Sequence, residues 1–259
     1  MYDDLLNIAL GVIATGVSAS LGWIARAALW RRKLRRKQVF FGLPGNAECL
    51  LVVNREAGSE GAVHRFDVFA LLELSALIKD CGAHARIVRH DAAQQGFGER
   101  AEFCLGGPYS NRRMAAHIQS LLPGVEVTSD TEPDPDRGAY RVTFRIGSER
   151  YPMDAGMSEY ALLARLTAGE GARPVFLFCG QRAITNQAAT RYLVRHHEKL
   201  ARKYGTDGSF VLLLKVVNSQ AYGPDVVELV ADVTRTARSP APEATQRANP
   251  AGTEISGTP

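Results

Sequence analysis

Residues 102–118 read EFCLGGPYSNRRMAAHI, and residues 175–193 read VFLFCGQRAITNQAATRYL. Each is a short apolar run that ends at glycine, crosses a polar turn and enters a stretch with helical spacing. Strand, turn and helix in that order are the unit of an open α/β sheet, where ligands collect at the carboxyl ends of parallel strands.

Working outward, Glu48 to Asn54 (ECLLVVN) is a short apolar run bounded by turn residues and reads as a buried strand. Phe66 to Asp80 has helical spacing and stops at Cys81-Gly82, and Ala83 to His90 alternates as a second strand. A strand–helix–strand order implies a parallel pair with a helical crossover. A helix is expected from about Ser110 to Leu122, then a strand over Val125–Ser129 and a hairpin of Tyr140–Ile146 with Arg150–Met153. Tyr160 to Leu166 has helical propensity, but its place before a turn and another strand favours an antiparallel strand. Thr185 to Tyr204 reads as the longest helix after the first, with strands at Phe210–Val217 and Val226–Thr234 to close the sheet. The expected fold is α/β: a three-layer Rossmann-like domain over 48–236, its mixed sheet parallel at the centre and antiparallel at the margins.

Ahead of this domain, Leu5 to Ala25 (LLNIALGVIATGVSASLGWIA) carries no charge, and Arg26, Arg31, Arg32, Lys33, Arg35, Arg36 and Lys37 follow it. About 20 apolar residues suffice to span a bilayer core, so 5–25 is expected to be a single transmembrane helix. Cations are retained on the cytoplasmic side. That order of charges predicts residues 1–4 outside the inner membrane, a basic juxtamembrane segment and linker over 26–47, and a cytoplasmic domain. A cleaved signal peptide would carry its cations before the apolar run, and an interfacial helix would carry charge on one face. Ala14, Ser18 and Gly22, with Gly16 and Ser20, recur every four residues, which suits self-association of the span into a homodimer. From 237 to 259 the chain is rich in Pro, Ala, Thr and Gly and reads as a disordered tail.

The whole chain has 31 basic and 27 acidic residues. Residues 1–37 hold seven of the former and two of the latter, leaving 24 against 25, a net of −1 beyond the anchor. The basicity therefore belongs to the membrane flank, and nucleic acid is disfavoured as a partner. Cys49, Cys81, Cys104 and Cys179 form no C-x-x-C pair, so neither a zinc framework nor any other metal site is expected. The sequence names no cofactor.

The candidate ligand site is the pair of glycine turns: Gly106, Gly107, Ser110, Asn111 and Arg112 from the first, Gly180, Arg182, Thr185 and Asn186 from the second. Glycine lets a backbone approach a ligand, and unpaired amides at a helix start favour an anion. Arg112 and Arg113 lie where the helix dipole disfavours cations, which an anion between them and the helix would explain. Ser, Asn and Thr at such positions also serve as ordinary helix caps. Neither turn matches a P-loop or a complete G-x-G-x-x-G. Asp154, Glu159 and Glu99 are the carboxylates available for acid–base work, and His90-Asp91 ends a strand at the same edge; no nucleophile or metalloprotease motif supports them.

LGGPYSN, SEYALLARL and CGQRAITNQAATRYL resemble a poorly characterised group of bacterial membrane-anchored proteins whose Rossmann-like domain carries a Gly-Gly-Pro-x-x-Asn turn. Ile184-Thr185-Asn186 stands where a later glycine is expected. The chain is more distantly similar to nucleotide-sensing Rossmannoid domains joined to membrane helices. That resemblance implies a sensor or regulatory module for a nucleotide-like or phosphorylated ligand. The alternatives are an enzyme acting on a nucleotide or sugar phosphate and a membrane scaffold that recruits a protein partner.

Overall fold

The computed structural model describes residues 2–54, 62–92, 96–130, 141–167, 169 and 171–240, without the side chains of 4–6, 8, 9 and 11–14. Nearly all of the expected tail lies outside the described residues.

Helix α1 runs unbroken from Tyr2 to Phe41, 40 residues. The span expected over 5–25 and most of the linker expected over 26–47 are therefore one helix. Arg26 to Lys37 is rich in residues that favour a helix and holds neither glycine nor proline. Among the described residues no helix is long and apolar enough to cross a membrane. Leu5, Leu6, Ile8, Ala9 and residues 11–14 of the apolar run lie outside those with described side chains. The helix stops at Gly42, which has φ 65°, while the Leu43 amide reaches back to the Gln38 carbonyl at 2.7 Å. A left-handed residue just past a helix is best filled by glycine. Phe40, Phe41 and Leu43 are fully buried, so the helix ends inside the domain core rather than in a linker.

The remaining elements follow in chain order. Strand β1 (Glu48–Val53), helix α2 (Arg65–Asp80), β2 (His84–Arg89), β3 (Glu102–Leu105) and α3 (Arg112–Leu121) form the first half. Then come β4 (Val125–Ser129), β5 (Val142–Ile146), β6 (Glu149–Pro152), β7 (Ser158–Leu166) and β8 (Val175–Gly180). Helix α4 (Ala183–Tyr204), β9 (Phe210–Val217), α5 (Ser219–Tyr222), β10 (Val227–Asp232) and α6 (Thr234–Arg238) complete the described fold.

The fold is α/β, and its mixed seven-stranded sheet, in the order β10-β9-β7-β8-β3-β1-β2, is consistent with a Rossmann-like domain. β2, β1, β3 and β8 are mutually parallel, while β7 is antiparallel to both of its neighbours. The antiparallel β7 thus lies inside the sheet and not at its margin. Its Ala161 to Leu166 are buried on both faces, a pattern that suits an interior strand. β4, β5 and β6 do not join that sheet but form a second, antiparallel one. Val125, Phe144 and Ile146 pack into the core, whereas Glu126 and Arg145 pair with each other in solvent. One-sided burial of this kind makes a cover over a core.

Alternation along the strands splits the core in two. Leu51, Phe103, Phe176, Phe178 and Leu212 point to the face covered by α2, α4 and the end of α1. Val52, Cys104, Leu177, Val211 and Leu213 point to the face covered by α3, α6 and the small sheet.

Candidate functional site

β3 sends its helix to one face of the sheet and the adjacent β8 sends its helix to the other. Met114 and Ile118 of α3 pack in the second core; Ala189 and Leu193 of α4 pack in the first. A crevice opens between two such connections at the carboxyl ends of the strands. The glycines expected there are in place. Gly106 has φ 113°, and a Cβ on it would overlap the side chain of Asn54 at the end of β1. A Cβ on Gly107 would sit 3.5 Å from the Gly180 carbonyl oxygen, so the two turns touch. At Gly180 a side chain would collide with Thr185 and Asn186.

The capping residues are partly committed. Asn111 is fully buried; its Oδ1 accepts from the Met114 amide at 2.9 Å and its Nδ2 donates to the Leu105 carbonyl at 2.6 Å. Ser110 Oγ donates to the Gly107 carbonyl at 3.4 Å. The Thr185 hydroxyl caps the turn by donating to the Arg182 carbonyl at 2.8 Å. His90, from the end of β2, accepts the Arg112 amide on Nδ1 at 3.2 Å. The amides of Arg113, Ala183 and Ile184 at the two helix starts have no protein acceptor among the described residues.

The two arginines singled out at these turns differ. The Arg112 side chain is exposed and has no hydrogen bond or ion pair among the described residues. Arg182 Nη1 instead donates to Glu159 Oε1 at 2.7 Å. Glu159 on β7 is fully buried and also accepts from the Ser219 hydroxyl at 2.7 Å and the Gly156 amide at 3.1 Å. A buried carboxylate needs such partners. Arg182 therefore neutralises Glu159, whereas the Arg112 side chain has no carboxylate partner among the described residues. Asp154 caps the same turn, where it bridges backbone to Ser158.

Sequence reasoning missed a polar chain across the base of the crevice. The Gly180 amide donates to Asn186 Oδ1 at 2.8 Å, and Asn186 Nδ2 donates to Asp67 Oδ1 at 2.8 Å. Asn54 Nδ2 donates to Asp67 Oδ2 at 3.4 Å. Asp67 and Asn186 are each 1% exposed. Burial pushes the Asp67 carboxyl above its ordinary value, against the hydrogen bonds from Asn186 and Asn54 and the nearby His64. Asn54 Oδ1 is buried with no partner among the described residues. A buried acceptor left unsatisfied costs about 1–3 kcal/mol, so it marks a place where a ligand donor or a water would bind.

Glu102, Cys104 and His117 bring three metal-ligand types within 4.8 Å of one another. Arg113 grips both Glu102 oxygens at 2.6 and 2.7 Å, however, and His117 Nε2 lies 2.7 Å from Oε1. Burial opposes the charged carboxyl, but Arg113 and His117 together hold it below its ordinary value. The charge that would attract a cation is already matched by a guanidinium, and burial pushes the Cys104 thiol well up. The group is a buried ion-pair cluster. All four cysteines are free and buried, and Cys49 and Cys179 are raised to about 12.

One hollow of about 420 Å³ borders the first turn at Pro108 and Ala115, one of about 640 Å³ lies between α1 and α4, and one of about 700 Å³ is lined by Asp232, Thr234 and Arg235. No protein-family model, curated protein or solved structure matches the chain.

Proposed function

We propose that the protein is a membrane-anchored regulatory module whose cytoplasmic domain binds a phosphorylated, nucleotide-like ligand above the ends of β1, β3 and β8. The observation that carries this reading is the contact of the Gly107 and Gly180 turns, where neighbouring strands send their helices to opposite faces. Arg112 and the Arg113 amide supply positive charge and a donor for a phosphate at the start of α3. Asn54 Oδ1 supplies an acceptor for a hydroxyl or amine of the same ligand. The resemblance of the GGPYSN turn to a poorly characterised bacterial group, and the chain's more distant similarity to nucleotide-sensing domains, support the same class. No nucleophile with an adjoining base stands in the crevice among the described residues, which favours sensing over turnover.

The uncharged run of α1, followed by seven cations, supports an inner-membrane anchor with the domain on the cytoplasmic side. Trp23, Ile24, Leu29 and Trp30 are all more than half exposed along α1, and a bilayer with its interface would cover them. A Cβ added at Gly16 or Gly22 would meet nothing within 4 Å, which leaves the small-residue face of α1 open to a second copy.

A thermal-shift screen of the purified chain against nucleotides and nucleoside phosphates tests the ligand class. A dose-dependent rise in melting temperature with a phosphorylated nucleoside, and none with the bare nucleoside, is expected. Indifference to every member would contradict the reading.

A further inference from the structure

The cleft between α1 and α4 is a different place from the crevice and has a different chemistry. Leu29, Phe40 and Ala201 give it an apolar lining. Around them stand Arg32, Lys33, Arg35, Arg36, Lys37 and Arg202, with Glu198 as the one lining carboxylate. Lys33 uses that carboxylate at 2.8 Å, and Lys37 reaches Asp80 at 3.4 Å. Arg32, Arg35 and Arg36 are exposed and have no hydrogen bond or ion pair among the described residues. Burial, followed by the nearby Lys37 and Lys33, depresses His197, against the Val194 carbonyl and Glu198. The cleft therefore carries a surplus of positive charge that the protein itself does not match.

From this structure we infer that the cleft binds the headgroup of an anionic membrane phospholipid. Its phosphate would lie among the unpaired arginines, and its glycerol and upper acyl chain against Leu29 and Ala201. Charge complementarity alone would also admit a free phosphate. Two features favour a lipid: the apolar lining, which a bare anion leaves uncovered, and the position a few residues beyond the uncharged run, beside Trp30. This choice of source rests on the membrane reading given above. Each cation near an anionic surface contributes about 1 kcal/mol, so two of them set a preference of roughly tenfold or more.

The full chain in a neutral detergent provides the test, with native mass spectrometry to count retained phosphatidylglycerol against phosphatidylcholine. Inorganic pyrophosphate serves as the anion without a lipid. Arg32→Gln with Arg36→Gln is compared with Arg26→Gln with Arg31→Gln, which removes the same charge from the same helix outside the cleft. Circular dichroism melting confirms that both variants fold, as exposed arginines allow. The expected result is a preference for phosphatidylglycerol of about tenfold, abolished in the first variant and kept in the second, with pyrophosphate unable to displace the lipid. Equal retention of the two lipids, equal loss in both variants, or displacement by pyrophosphate would overturn the proposal. Recovery of the chain in the soluble cell fraction would overturn the membrane anchor instead. Loss of the preference in a chain that fractionates with membranes would overturn the cleft alone.

Discussion

Arg165 on β7 donates from Nε to the main-chain carbonyl of Phe40, the next-to-last residue of α1, at 2.9 Å. The same guanidinium gives Nη1 to the Gly208 carbonyl and Nη2 to the Thr206 carbonyl, both at 2.8 Å. It is 2% exposed, lies over the Phe40 ring at 5.5 Å, and is lowered by burial to about 10. One side chain thus ties the end of the first helix to the sheet and to the turn before β9.

Replacing Arg165 with Met should destabilise the protein by roughly 3 kcal/mol, because one buried and two part-buried carbonyls lose their donor together. Arg165→Lys should recover only part of the loss, since an ammonium cannot reproduce the planar fork. Chemical denaturation of the three proteins measures this. A change below about 1 kcal/mol for Arg165→Met would show that the tie carries no stability.

The Glu102–Arg113–His117 cluster gives a prediction with a pH sign. The folded carboxyl of Glu102 lies below its ordinary value of 4.5, so the stability it contributes is present above 4.5 and is lost as pH falls through the lower folded value. Arg113→Met should cost about 3–5 kcal/mol at pH 7, because it leaves a buried carboxylate with only His117. The deficit should shrink toward pH 4, where protonation relieves the unpaired charge. Denaturant midpoints at the two pH values check it, and a deficit that does not change with pH would refute the assignment.

Much of the sheet was legible because its strands are apolar runs between turn signals, as at Glu48–Val53, Val175–Gly180 and Phe210–Val217. Even β7, with helical propensity in YALLARL, was readable from its place before a turn and another strand. The end of α1 was not. Phe40 and Phe41 follow a cationic stretch and look like the start of a linker, and only the rings of Phe176 and Phe210, distant in sequence, pack against them and make them core. In the site, the glycines were legible because each turn needs close backbone approach. Asp67 was not, since an acid in the first turn of a helix is ordinary dipole chemistry, and its partners arrive from elsewhere, Asn54 from the end of β1 and Asn186 from α4. Arg182 misled for the complementary reason: its partner Glu159 lies 23 residues away on a neighbouring strand. The Glu102 cluster did leave a signal, for Arg113 and His117 are four apart and share one face of α3.

The proposed topology rests on the charge asymmetry around Leu5–Ala25. Protease added to intact spheroplasts should leave the domain undigested, and moving the cationic cluster ahead of Leu5 should expose it. Prompt digestion of the unmodified chain would reverse the assignment.

Self-association through the small-residue face of α1 is tested by Gly16→Leu with Ser18→Leu. Crosslinked dimer in membranes should fall several-fold, because bulky residues hold the helix backbones apart. Dimer at the original level would sink the idea.

The ligand site is tested most directly by one paired measurement on Arg112→Ala: ligand affinity by calorimetry, using whichever nucleotide gives the largest thermal shift, and melting temperature without ligand. Affinity should weaken by roughly 1.5–3 kcal/mol, the scale of a charged hydrogen bond. The unliganded protein should melt at the same temperature or slightly higher, because a cation at a helix start opposes the dipole. Arg182→Ala should do the reverse and lower the melting temperature, since it strips buried Glu159 of its guanidinium. Unchanged affinity in Arg112→Ala, or unfolding of that variant, would contradict a phosphate site at the glycine turns.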